Sequence, residues 1–323
     1  MERSTEHETT LGHEGRRLPR PEDEVVDQGL GFDIGTLLNR RRMLAVLGLG
    51  ATTVGLAACG AGGPGASSSA SAGTSSASPS APASPTATGA ALEEIPDETA
   101  GPYPGDGSNG PDVLEQSGIV RRDIRSSLGD AGGTAEGVPM TLELNIADLA
   151  NGGVPFAGVA VYVWHCDREG RYSMYSDGVT EENYLRGVQI TDAQGTVRFT
   201  SIFPACYTGR WPHVHFEVYP DQTSVTDSAA AIATSQVALP RHVCDTVYAT
   251  AGYEASVRNL AQLSLASDNV FGDDSGAGQL GTVSGSVAAG YTLTLAVGVD
   301  TTTAPTGGRL AGGGAPAGAP PAG

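Results

Sequence analysis

Short stretches that alternate apolar and polar residues, each closed by turn-forming residues, constrain this chain more than any other feature. Met140–Ile146 (MTLELNI), His213–Tyr219 (HVHFEVY) and Tyr291–Val299 (YTLTLAVGV) keep a period of two. Successive side chains of a strand point to opposite faces, so such a run has one face for a core and one for other partners. Val159–His165 (VAVYVWH) is mostly apolar and reads as a buried strand. Gly187–Phe199 (GVQITDAQGTVRF) reads as a hairpin turning at Asp192–Gly195. The best helical pattern, Ala255–Leu263, is short. Frequent short strands with turns between them predict an all-β fold, an antiparallel β-sandwich with long loops and little helix.

Composition sets the limits of that fold. Within 323 residues, 46 glycines and 39% hydrophobic residues are too lean a mixture for one compact unit. Residues 1–38 are polar and mixed in charge. Arg40 and Arg41 then precede an uncharged run from Met43 to Ala58, shorter than the about 20 residues of a spanning helix. This is the pattern of a signal peptide, and the arginine pair resembles a twin-arginine signal. Leu56-Ala57-Ala58-Cys59 resembles a bacterial lipobox, which predicts lipidation of Cys59. The expected organisation is a signal over 1–59, a disordered Ala/Ser/Gly/Pro linker over 60–93, a β-sandwich domain over 94–302 and a disordered Gly/Ala/Pro tail over 303–323. The expected location is the outer face of the bacterial cytoplasmic membrane, with membrane contact through the lipid anchor only.

All 18 basic residues are arginine, which excludes Schiff-base lysine chemistry and a Walker A loop. A formal charge of −18 argues against nucleic acid as a partner.

The stretch Pro204–Val218 (PACYTGRWPHVHFEV) carries the chemistry. His213 and His215 share one strand face, with Val214 on the other. A His-x-His pair alone is a weak signal, but Tyr207 and Arg210 stand just before it, and Gly209 and Pro212 bracket a bend. A second tyrosine, Tyr172, follows the turn Asp167–Gly170. Two phenolates and two imidazoles suit ferric iron better than zinc or copper(I) by ligand hardness.

Four segments in order resemble the intradiol ring-cleavage dioxygenases, the family of catechol and protocatechuate dioxygenases. They are TAGPYP (Thr99–Pro104), VWHCDREGRYS (Val163–Ser173), FPACYTGRWPHVH (Phe203–His215) and TSQVALP (Thr234–Pro240). The resemblance implies non-haem Fe(III) held by Tyr172, Tyr207, His213 and His215. Tyr207 would be the ligand that leaves and accepts protons, and Arg210 would stabilise negative charge on the ring. It places Thr99, Tyr103 and Gln236 at the substrate. The implied reaction cleaves a small aromatic diol with O2 between its two hydroxyl-bearing carbons, giving a cis,cis-muconate-type product; a homodimer is admitted. The stretch between Tyr207 and His213 is shorter than in the catechol and protocatechuate enzymes. A different class of function, a non-catalytic exported module binding aromatic or cell-wall ligands, would be expected to have lost some of these ligands. His165 and His242 fall outside the motif and are assigned to packing or surface. An exported domain permits disulfides, and a Cys206–Cys244 bridge is expected, with Cys166 buried and free.

Overall fold

The computed structural model describes residues 92–306 and, separately, a two-stranded antiparallel ladder of Gly12–His13 with Arg16–Arg17. The rest of the expected signal over 1–59, including Arg40, Arg41 and Cys59, nearly all of the linker and the tail beyond Thr306 lie outside the described residues. The chain continues past residue 302 to Thr306, whose backbone N–H donates to Asp97 Oδ2 at 2.5 Å.

Two sheets form the domain. In the first, β1 (Pro139–Asp148) is central. It pairs antiparallel with β2 (Val154–Pro155) and with β5 (Thr196–Ile202), and parallel with β9 (Gly290–Val299). The edge strand β8 (Thr282–Ser286) pairs with β9. The second sheet has the order β4 (Arg186–Ile190), β3 (Ala160–Trp164), β6 (His213–Tyr219), β7 (Ala233–Ala238), all antiparallel. An all-β sandwich is thus what the alternating runs build, with the β1–β9 pair as its parallel element.

The core follows the period-two pattern. Met140, Leu142, Leu144 and Ile146 of β1 and Leu293, Leu295 and Val297 of β9 face Val161, Val163, Val214, Phe216 and Val218 of the second sheet. That second sheet is covered on its other face too, where Tyr162, Trp164, Val188 and Tyr219 pack with Ala100, Val113, Leu114, Ile119 and Tyr172. Burial on both faces explains why β3 reads as a nearly continuous apolar run. The second face is roofed by loops rather than by a sheet, and there the polar alternate residues of β6 collect.

The expected hairpin over Gly187–Phe199 is a crossing between sheets. The turn itself forms where expected: Asp192 Oδ1 accepts the N–H groups of Gln194 and Thr196, each at 2.9 Å. The strands on either side do not pair with each other, because β5 zips onto β1 over seven positions from Asn145↔Thr196 to Pro139↔Ile202. Gly195 sits at φ +72°, and a Cβ there would run into the Ile146 carbonyl and the Phe156 N–H. Gly195→Ala is therefore expected to destabilise the domain by at least about 2 kcal/mol, read as a lowered denaturation midpoint.

Two short helices follow β7. The expected one appears as α2 (Glu254–Leu260). The other, α1 (Arg241–Tyr248), lies outside the one helical pattern expected and buries Val243, Cys244, Val247 and Tyr248. This placement bears on the expected Cys206–Cys244 bridge, which the structure does not contain: Cys166, Cys206 and Cys244 are all free and buried. Cys244 lies on the packed face of α1 beside Tyr248, and the Cys206 thiol is turned to the Arg210 carbonyl at 3.5 Å. Burial pushes the Cys206 thiol up to about 12 and the Cys166 and Cys244 thiols well above their ordinary value, which disfavours the reactive thiolate.

Candidate metal centre

His213 and His215 project from β6 onto the roofed face, as their spacing demands. Their Nε2 atoms lie 3.0 Å apart. Tyr172 Oη is 3.4 Å from His213 Nε2, and Tyr207 Oη is 3.2 Å from it. The two phenol oxygens are 3.5 Å apart. All four residues expected as ligands thus converge on one point. Donors bonded at about 2.1 Å to a single ion, at angles between about 90 and 110°, stand about 3.0–3.4 Å apart; the three separations to His213 Nε2 fall in that range and the two phenol oxygens stand just outside it. Among the described residues, no group of three or more His, Cys, Asp or Glu could hold a metal. The tyrosines are what complete this donor set.

Local structure aims each donor. Asp167, buried, organises the turn before Tyr172: its Oδ1 accepts the Glu169 and Arg171 N–H groups, and its Oδ2 accepts from Arg171 Nε and the Tyr184 hydroxyl. Gly170, at φ +89°, lets this turn lie against Tyr207, since a Cβ there would stand 3.2 Å from Tyr207 Cβ. Ser176 Oγ then takes the Tyr172 N–H at 2.7 Å. His213 Nδ1 is 2.5 Å from the Trp211 carbonyl. A carbonyl can only accept, so Nδ1 carries the proton and Nε2 presents a lone pair, the tautomer a metal needs. His215 stacks on Trp164 with ring centroids 4.9 Å apart and planes at 5°.

The electrostatics fit a cation. Burial, and then the Arg210 charge, pull His213 down to about 3, and burial and His213 pull His215 well below its ordinary value. Both imidazoles are therefore neutral. Burial pushes the Tyr207 phenol up to about 12, with Arg210 opposing, and burial and then Tyr207 push the Tyr172 phenol well above its ordinary value. Nothing in the protein alone ionises them; a strongly polarising metal ion at their shared focus would.

Around the donors the other expected residues come together. Arg210 Nη2 donates to Gln236 Oε1 at 2.7 Å, and Gln236 Nε2 donates to the Thr99 carbonyl at 3.0 Å. Thr99 Oγ1 takes the Gly101 N–H at 3.0 Å. A Cβ on Gly101 would lie 3.3 Å from His215 Cε1, so the Thr99–Pro104 segment passes directly over that ligand. The Tyr103 ring sits 5.0 Å from the Tyr172 ring.

Residues that the sequence did not point to hold the site from behind. Asp268, fully buried, accepts from Arg210 Nε at 3.1 Å and from the Trp211 N–H at 2.6 Å. Phe271 lies 5.9 Å from the Arg210 guanidinium. Arg186, Trp164, His215 and Gln236 form a single cross-strand row over β4, β3, β6 and β7. Strand register could have suggested that row, but only with the pairing order known. His165 is buried against Ser201 Oγ at 2.7 Å and His242 is exposed, both away from the donors.

Residues 109–276 match the family model described as Dioxygenase. Over 72 residues the chain is 36% identical to the catechol 1,2-dioxygenase of Pseudomonas sp. strain EST1001, covering 22% of this chain and 23% of that one. Over 55 residues it is 34% identical to the chlorocatechol 1,2-dioxygenase of Rhodococcus opacus, covering 17% and 21%. The chain thus matches less than a quarter of the length of either curated relative. The solved intradiol ring-cleavage dioxygenase from Tetranychus urticae shares the fold, with a TM-score of 0.51 and 22% identity over 66% of this chain and 98% of that one. With its match to the dioxygenase model spanning Tyr172, Tyr207, Arg210, His213, His215 and Gln236, the chain belongs to the intradiol ring-cleavage dioxygenase family.

Proposed function

We propose that the protein is a non-haem ferric dioxygenase that opens catechol-type rings between the two hydroxyl-bearing carbons with O2, giving cis,cis-muconate-type products. The observation that carries this reading is the convergence of Tyr172, Tyr207 and His215 on His213 Nε2, each with its donor atom within 3.4 Å of that nitrogen, with Arg210 beside them. When bound there, ferric iron supplies the Lewis acidity that keeps both phenols ionised and activates a catecholate toward O2.

The chain's own residues do the rest. Tyr207 is half-buried while Tyr172, His213 and His215 are buried, so Tyr207 is the ligand that solvent and substrate reach. Its oxygen, once ionised, is the base that takes a proton from the entering diol. Arg210 keeps its guanidinium aimed at the ring through Asp268 on one side and Gln236 on the other, where its charge offsets electron density that builds on the ring. Tyr103 and the Thr99–Pro104 segment close the pocket over His215 and exclude water.

The test uses the purified full-length protein. Expected results are one iron per chain, a red colour from tyrosinate-to-iron charge transfer, and O2 uptake matched to ring-opened product. Iron-free, colourless protein that binds catechol without consuming O2 would overturn the reading in favour of a binding module.

Export belongs to the same proposal. The twin-arginine-type signal and the Leu56-Ala57-Ala58-Cys59 stretch support a lipid-anchored protein on the outer face of the cytoplasmic membrane. Cys59→Ala is expected to move the protein from the membrane to the soluble fraction or to leave it unprocessed. Unchanged membrane association of processed Cys59→Ala protein removes the anchor from the account.

A further inference from the structure

Arg186 is 1% exposed, yet among the described residues it makes no ion pair with a carboxylate. A buried guanidinium needs its donors filled, and here oxygens of two separate loop segments, with the Tyr162 hydroxyl of β3, fill them. Nη2 donates to the Tyr103 carbonyl and to the Ser173 carbonyl, each at 2.9 Å. Nη1 donates to the Pro104 carbonyl at 2.6 Å and to Tyr162 Oη at 3.2 Å, and Nε donates to Ser173 Oγ at 3.1 Å.

The two segments are the ones that matter for the pocket. Tyr103 and Pro104 end the stretch that passes over His215, and Ser173 directly follows Tyr172. The guanidinium also has a fitted seat. Gly105, at φ +66°, is where a Cβ would stand 2.8 Å from Nη1, and Tyr175 lies under the Arg186 Cζ with its ring centre at 5.4 Å. The Tyr175 hydroxyl in turn accepts the Gly105 N–H at 2.8 Å. From its place at the end of the row that contains Trp164 and His215, Arg186 therefore reaches the roof and the tyrosine loop at once.

We propose that Arg186 is a positioning residue: it locks the Thr99–Gly105 roof and the Tyr172–Ser173 loop into one rigid unit, and so fixes where a catechol ring sits between Tyr103 and the metal ligands. This rests on the function proposed above, but the clamp is a property of the chain and can be measured without turnover. A lysine keeps the charge and cannot span both segments, because it has one donor atom where arginine has a planar fork.

The experiment compares wild-type protein with Arg186→Lys by amide exchange, iron content, the charge-transfer band and steady-state kinetics. The expected result is exchange at least about tenfold faster in residues 99–106 and 172–176, with protection in β1, β6 and β9 unchanged. Iron is retained, the band shifts, and KM for catechol rises by about 10–100-fold with a smaller fall in kcat, the size typical of losing a partner behind a ligand. Uniform loss of protection throughout both sheets assigns Arg186 to general stability and overturns the proposal, as does Arg186→Lys with unchanged exchange and KM. If the lysine variant does not accumulate folded, Ser173→Ala removes the Nε acceptor, together with the Ser173 hydroxyl's bond to the Tyr184 carbonyl, and is expected to show the same loosening to a lesser degree in both residues 99–106 and 172–176; wild-type exchange in 99–106 in that variant overturns the proposal. Should the wild-type protein prove unable to cleave catechols, the exchange arm still decides the clamp by itself.

Discussion

Alanine at Asp268 is expected to destabilise the domain by about 3–5 kcal/mol, a large part of the 5–15 kcal/mol that typically holds a domain folded. The carboxylate is fully buried, and the Arg210 side chain opposite it is only 13% exposed. One Asp268 oxygen serves Arg210 Nε and the Trp211 N–H, and the other accepts the N–H groups of Val270 and Phe271 at 2.9 and 3.1 Å. Removing the side chain strands four donors, one of them charged. Asp268→Asn separates the two halves of the role. Its single carbonyl oxygen can still cap Val270 and Phe271, while its amide turns a donor toward Arg210 and Trp211. That variant is expected to keep much of the stability and to lose turnover as Arg210 swings free. Denaturant titration of the three proteins decides the matter. An alanine variant within about 1 kcal/mol of wild type would show that the pair contributes little.

The second large effect concerns Tyr172. Phenylalanine there keeps the ring, its contact with Tyr103 and the packing of the second face, and removes only the oxygen. On the proposed function, Tyr172→Phe is expected to fold normally and to lose more than about 100-fold in turnover, beyond the 10–100-fold typical of changes one shell further out. Iron content and the charge-transfer band should fall together. Tyr207→Phe tests the same focus from its open side. If Tyr172→Phe retains wild-type turnover and iron, Tyr172 is not a ligand and the assignment of the donor set fails.

The parts of this molecule that were legible in its sequence share one property: they are local. Alternation in MTLELNI and HVHFEVY fixes which side chains share a face regardless of what lies beside the strand. The same period put His213 next to His215. The turn at Asp192–Gly195 was also readable, because an aspartate accepting the N–H groups two and four residues on is short-range chemistry. What that turn connects was not readable. Whether β5 returns to β4 or crosses to β1 is decided by partners some 50 residues away, such as Glu143 opposite Arg198. The parallel pairing of β9 with β1 escapes notice for the same reason. Helix α1 was missed because it starts directly after Pro240 with no side-chain cap, and Val243, Thr246 and Val247 weaken its intrinsic propensity. The four donors were found through motifs, whereas Asp268 stands 58 residues from the arginine it holds and carries no local mark. The Cys206–Cys244 expectation failed with the helix: Cys244 is free and packed on the face of α1.

The cross-strand row of Arg186, Trp164, His215 and Gln236 has a consequence for how errors arise and spread in this protein. On β6 the residues on either side of His215, Val214 and Phe216, belong to the sandwich core. A strand that slipped by one residue would drive histidines into the core and valine and phenylalanine into the pocket together. Misregistered chains therefore cannot form a sound core around a defective centre, and core packing acts as a proofreader for the active site. The same coupling shapes what evolution can alter. Insertions in the roof or the tyrosine loop reshape the pocket without moving the row, while a single inserted residue within β6 inverts it. The pocket can thus be reshaped through the loops, while the direction in which positions 213 and 215 point is tied to the register that the core requires.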